Sequence, residues 1–277
     1  MIDLVVQAPR LTDADVAALL HVCAAGVATR LAPGAVRIPD VAPAAPIAAH
    51  CEARRFDFAH VPRERRLGRV GLVAMDMDST LITIECIDEI ADMQGIKAQV
   101  AAITASTMRG EIDFAESLRR RVGLLAGLEV AALERVYDER LRLSPGAEAM
   151  LAAFKAAGAS TMLVSGGFTF FTDRLKARLG LDFTASNVLE IAAGRLTGRV
   201  AGAIVDAAAK AEAVRRARAE PALAGKLVVG IGDGANDLPM FAVADVSVAY
   251  HAKPVVRERA TCRIDYCGLD AVVNLFA

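Results

Sequence analysis

Three short aliphatic runs, Val70 to Ala74, Thr161 to Val164 and Leu227 to Ile231, each stop abruptly at a polar segment rich in Gly or Asp. A continuous apolar run of strand length that ends in such a loop is the pattern of a strand buried on both faces, as in parallel sheets. Helical patterns separate the three runs, as crossover connections require. Ser144-Pro145 before an Ala-rich run to Gly158 supplies the N-cap, first-turn proline and C-terminal glycine of one helix. Phe168 to Leu179, ending at Gly180, predicts the helix after the second strand, and Ala207 to Ala219 predicts another before the third. Val188 to Ile191 and Arg195 to Val200, flanking Ala193-Gly194, predict a hairpin.

From about residue 87 to 143 the rhythm breaks, with several helical periods in succession and no strand. An insertion just after the first strand stands over the C-terminal edge of the sheet, where open α/β folds bind ligands, so it predicts a helical lid. Residues 1–65 form a separate zone. Thr12-Asp13-Ala14-Asp15 opens a helix running to Cys23, and Pro39 to Ala49 is rich in Pro and Ala. A small α+β domain with a loose connection to an α/β domain over 66–277 is expected.

Composition narrows the partners. The 277 residues are 55% hydrophobic but only 5% aromatic, with no Trp, so Ala, Val, Leu and Ile must fill the core. Lys plus Arg (32) nearly balance Asp plus Glu (33), which leaves no basic field for nucleic acid or anionic lipid. Neither nucleic acid nor a membrane is an expected partner, and any anionic ligand must be held locally. Charges interrupt every long apolar stretch and no basic leader precedes one, which predicts a cytoplasmic protein. Five Cys without a C-x-x-C indicate neither a zinc site nor a disulfide framework. Oligomeric state is open, a homodimer being one allowed assembly.

The polar loops carry the candidate chemistry. Asp76 and Asp78 lie two apart just past a strand, so extended geometry would send both carboxylates to one side. A calcium loop of the EF-hand type would use Asp76, Asp78 and Thr80, but it would need Gly at Leu81 and Glu at Ile87. Gly230 to Asp237 is a second acidic loop, with Asp233 and Asp237 as hard oxygen ligands. Gly230, Gly232 and Ala235 also fit a dinucleotide loop, yet Asp233 would face the pyrophosphate and no acidic residue follows at about 20 residues. Ser165-Gly166-Gly167 offers a hydroxyl and backbone N–H groups of the kind that bind phosphate at helix N-termini. Lys210 by itself reads as a solvated helix charge.

Together these segments resemble the haloacid-dehalogenase-like hydrolases, in which D-x-D-x-T, a Ser or Thr after a strand, a Lys and an acidic G-D-x-x-x-D loop follow in that order. Within the superfamily the chain is similar, from about Gly71 onward, to the phosphoserine phosphatase family. The carriers are Asp76 to Leu81, Glu85 to Ile90, Phe114 to Val122, Val164 to Phe168 and Gly232 to Asp237. The resemblance implies a Rossmann-like parallel-sheet α/β core, a helical cap at about 87–143 and a small N-terminal domain of degenerate ACT type.

It further implies hydrolysis of a small phosphomonoester, O-phospho-L-serine, in the last step of serine biosynthesis, through a phosphoaspartyl intermediate. Asp76 is the implied nucleophile and Asp78 the general acid and base. Magnesium is held by Asp76, the Asp78 carbonyl and Asp233, supported by Asp237. Ser165, Gly166, Lys210 and Asn236 hold the phosphoryl group, while Glu85 and Arg121 clamp the amino-acid end beneath Met108 and Phe114. A related phosphotransferase, a phosphatase for another small phosphoester, and an amino-acid sensor using residues 1–65 are the alternatives.

Overall fold

A computed structural model describes residues 1–277. Residues 2–62 form an antiparallel sheet of order β2-β3-β1-β4, built from β1 (Ile2–Gln7), β2 (Thr29–Ala32), β3 (Ala35–Ile38) and β4 (Asp57–Pro62). Helices α1 (Asp13–Val22) and α2 (Ala45–Ala53) connect them in the split βαβ manner of ferredoxin-like domains. Thr12 and Asp15 form a reciprocal capping box at the start of α1. The Pro- and Ala-rich run is not a mere connector: α2 begins inside it, with proline in its first turn.

Strand alternation gives this sheet two apolar faces. Leu4 and Val6 pack under the helices, whereas Val5, Ala59 and Val61 share a core with Val248, Cys262, Ile264 and Leu275 of the larger domain. The Asp57 carboxylate accepts the N–H groups of Asp265, Tyr266 and Cys267 at 2.6, 3.1 and 2.9 Å. The expected loose connection is therefore corrected. The linker's composition says nothing of what the second face of the sheet rests on, and that face is what fixes the domain.

The larger sheet has the order β11-β10-β9-β5-β6-β7-β8, from β5 (Val70–Met75), β6 (Ser160–Phe168), β7 (Phe183–Ala192), β8 (Arg195–Ala201), β9 (Leu227–Gly232), β10 (Val246–Tyr250) and β11 (Cys262–Ile264). Neighbours pair in parallel except β7 and β8, whose antiparallel hairpin turns at Ala193 and Gly194, with φ of 49° and 74°. Val73 and Met75 point into one apolar layer and Leu72 and Ala74 into the other, so β5 is buried throughout.

Between β5 and β6 lies an all-helical cap, α3 (Cys86–Met93), α4 (Lys97–Met108), α5 (Phe114–Gly123) and α6 (Val130–Arg135), whose stem closes at the Ile82–Leu143 bridge. Helix α7 (Ala147–Ala156) starts later than its sequence suggests: its N-cap is Gly146 at φ 78°, not Ser144. Gly158 ends it in the left-handed region, with Ala159 N–H donating to Phe154 O at 3.0 Å. Helices α8 (Thr169–Leu179) and α9 (Ala207–Arg218) flank the hairpin, α9 capped by Asp206. No helix is long and apolar enough to cross a membrane.

Candidate active site

Strand β5 pairs with β6 on one side and β9 on the other, so the loops leaving these three strands converge where the strand order reverses. Asp76 directly follows β5, its N–H still donating to Ile231 O of β9 at 3.0 Å. The chain then turns tightly over Met77–Leu81, and Ser79 takes a left-handed φ of 54°. Asp76 Oδ1 accepts Met77 N–H at 2.7 Å. Its Oδ2 faces Lys210 Nζ at 2.7 Å and Asn236 Nδ2 at 3.3 Å.

Lys210 is not a solvated helix charge. Only 1% exposed on α9, it bridges Asp76 and Asp237, the latter at 2.8 Å. Burial disfavours the ammonium, but the two carboxylates outweigh it and raise its pKa. Asp237 Oδ2 also accepts the N–H groups of Asp233 and Gly234, at 3.2 and 3.1 Å. Burial and the Asp76 charge still push Asp237 up to about 7. Asp233 is raised too, by burial and Asp76, while Thr80 Oγ1 donates to its Oδ1 at 3.2 Å.

Carboxylate oxygens of Asp76, Asp233 and Asp237 lie within 4.8 Å of one another. One buried ammonium leaves these carboxylates under-neutralised, and the donors are all hard oxygens, which fits a small divalent cation. The third carboxylate of this cluster is Asp237, whereas the Asp78 carboxylate turns away and accepts Cys86 N–H at 3.1 Å. Burial first, then the charges of Glu85 and Asp76, hold the Asp78 pKa well above the usual carboxylate range.

The phosphate-type loop differs from its sequence reading. Strand β6 runs through Phe168, and the ladder with β7 slips between Val164 and Phe168, so Ser165, Gly166 and Gly167 form a bulge within the strand and do not open a helix. The sequence shows the glycines but not the register slip. Ser165 is buried, and its Oγ accepts Gly167 N–H at 2.9 Å. Both glycines are close approaches. A methyl group on Gly166 would lie 2.9 Å from the Phe114 ring, and one on Gly167 would lie 2.8 Å from Met77 Cε and 3.1 Å from Asp78 Oδ2.

Phe114 thus approaches Gly166 from the cap, and Met108, at the end of α4, is 71% exposed. Glu85 sits at the rim, exposed by area, with Oε1 accepting the Ser79 hydroxyl at 2.8 Å. Crowding by protein atoms, with the Asp233 and Asp76 charges, nonetheless raises its pKa. Arg121 on α5 is half-buried; burial lowers its pKa against the opposing pull of Asp88, Glu85 and Asp78. Sequence reasoning missed the supporting roles of Thr80, Ser79 and Cys86. Thr80 and Ser79 stand inside the motif, while Cys86 leaves no signal because its contact is largely through the backbone.

A mostly parallel sheet with a helical cap inserted after its first strand, a carboxylate cluster at the strand ends and a glycine bulge within β6 is the architecture of one class of hydrolase. The chain belongs to the haloacid dehalogenase-like hydrolases, whose family model matches residues 73–242. It is 53% identical over 215 residues to the phosphoserine phosphatase of Polaromonas sp. (strain JS666), across 76% of this chain and 91% of that one. A haloacid-dehalogenase family hydrolase from Salmonella enterica serovar Typhi superposes with a TM-score of 0.89 at 34% identity, covering 100% of this chain and 99% of its own. A probable phosphoserine phosphatase from Vibrio cholerae gives a TM-score of 0.88 at 36% identity, over 99% and 86%. Its family within the hydrolases is that of the phosphoserine phosphatases.

Proposed function

We propose that this chain hydrolyses O-phospho-L-serine to L-serine and phosphate through an aspartyl phosphate on Asp76, the last step of serine biosynthesis. The observation that carries the reading is the division of labour between two adjacent acids. Asp76 contacts a buried ammonium at 2.7 Å, while the Asp78 carboxyl faces the Cys86 N–H at 3.1 Å in a buried setting that, with the charges of Glu85 and Asp76, raises its pKa and favours its acid form. Phosphate-monoester hydrolysis is among the slowest uncatalysed reactions, so the site must lower the barrier by on the order of 20 kcal/mol.

Asp76 attacks phosphorus, because a carboxylate oxygen is a nucleophile in its own right and can form the covalent intermediate directly. Asp78 gives its proton to the departing serine oxygen, then takes one from the water that hydrolyses the aspartyl phosphate. Ser165, Gly166 N–H, Lys210 and Asn236 hold the phosphoryl oxygens as their charge grows. Asp76, Asp233 and the Asp78 carbonyl would hold magnesium, which neutralises phosphoryl charge when bound, and Asp237 fixes Lys210 beside them. Glu85 takes the substrate ammonium and Arg121 its carboxylate, a directional pairing suited to a guanidinium. Phe114 closes over Gly166 and excludes water.

The test compares wild type with Asp76→Asn for magnesium-dependent phosphate release from L-phosphoserine. Loss of activity is expected, and a variant retaining wild-type turnover would overturn the reading.

A further inference from the structure

Two segments carry the groups assigned above to the phosphoryl oxygens: the Ser165–Gly167 bulge and the start of α9, which bears Lys210. No hydrogen bond joins these segments directly. Asn187, fully buried on β7 and in register with Phe168, joins them through its side chain. Its Nδ2 donates to Gly166 O at 2.8 Å and to Val205 O at 3.3 Å, and its Oδ1 accepts Val205 N–H at 2.7 Å. A flipped amide would set Oδ1 against two carbonyls, so the orientation is fixed by its partners.

The bulge explains the need. As β6 advances from Val164 to Phe168, β7 advances only from Ala185 to Asn187, so the ladder is interrupted at Gly166. Asn187 supplies the donor for its carbonyl. The Gly166–Gly167 peptide is thereby held at both ends, its carbonyl by Asn187 and its N–H by Ser165 Oγ at 2.9 Å. With Ser165 Oγ already accepting that N–H, its own proton is left to donate outward. Val205, the other partner, immediately precedes Asp206, the N-cap of α9.

We propose that Asn187 is a positioning residue for phosphate: it fixes the gap between the Ser165–Gly166 donors and Lys210 into which the phosphoryl group fits. This rests on the phosphatase reading, yet the Asn187 side chain bonds only to the Gly166 and Val205 backbone and not to the carboxylate cluster. Asn187→Asp keeps size and the acceptor for Val205 N–H but turns an oxygen toward Gly166 O. A misplacement of about 1 Å costs on the order of a hundredfold in rate.

The measurement uses the magnesium-loaded full chain and compares inhibition by its two products, inorganic phosphate and L-serine. For Asn187→Asp, kcat should fall at least about tenfold and phosphate Ki should rise about tenfold, with L-serine Ki within about twofold of wild type. Unchanged kcat and phosphate Ki would overturn the proposal, as would equal weakening of both products, which marks general loosening. If Asn187→Asp does not fold, Asn187→Ser carries the same comparison, and failure of both to fold also overturns it by making the residue structural. Absence of phosphoserine turnover in wild type would instead sink the parent reading.

Discussion

Replacing Lys210 by Met removes the positive charge from the carboxylate cluster while keeping most of the volume. Lys210 is 1% exposed and lies 2.7 Å from Asp76 and 2.8 Å from Asp237. At an effective dielectric constant of about 20, each contact carries roughly 6 kcal/mol of Coulomb energy, much of it offset by burying the ammonium. Breaking such a buried pair costs about 3–5 kcal/mol, and with about 2–4 °C per kcal/mol the metal-free variant should melt roughly 10 °C below wild type near pH 8.

The pH dependence distinguishes charge from packing. Asp237, already pushed up to about 7, rises further without the ammonium. A carboxylate raised in the native state binds more protons there than in the unfolded chain. Its contribution is therefore full below the unfolded value of about 4 and is lost as pH rises through the folded value. The difference between Lys210→Met and wild type should narrow toward about pH 5 and widen toward about pH 8, and millimolar magnesium should narrow it at the higher pH. Thermal melts at both pH values, with chelator and with magnesium, measure this. A variant as stable as wild type near pH 8, or a deficit independent of pH, would refute the electrostatic reasoning.

Asp78→Asn should lower phosphoserine turnover by about 10²–10⁴-fold, with a smaller effect on formation of the phosphoenzyme from an aryl phosphate, whose leaving group needs no proton. Single-turnover kinetics on both substrates checks this, and equal losses in that step would remove Asp78 from proton transfer. Arg121→Ala should lower kcat/KM for phosphoserine by roughly 10–100-fold and leave an aryl phosphate close to wild type; parallel losses would make Arg121 structural. Asp57→Ala strands the N–H groups of Asp265, Tyr266 and Cys267, so amide exchange over residues 57–62 and 265–267 should quicken while metal-dependent activity persists. Unchanged exchange there would show that the apolar contact alone holds the domain.

The sequence by itself determined the three central strands β5, β6 and β9, because burial on both faces demands continuous aliphatic runs, and it determined the hairpin, because Ala193-Gly194 must enter the left-handed region, whereas β10, β11 and the individual strands of the N-terminal sheet carried no such run. It also marked Asp76, Asp78, Asp233 and Asp237, since acids clustered in loops at strand ends are costly without a partner charge. Lys210 shows why the rest was hidden. On α9 its neighbours in sequence are alanines, and only strand order brings it to Asp76 and Asp237. The bulge at Ser165–Gly167 depends on a register slip against β7, and Asn187 acquires its partners only through that slip. The outward face of the N-terminal sheet likewise becomes core only when Val5 and Val61 meet Ile264 and Leu275. Local sequence fixes how each segment bends and which side is apolar; which charges and faces then meet is set by long-range packing, where pairing energies depend on distance and burial.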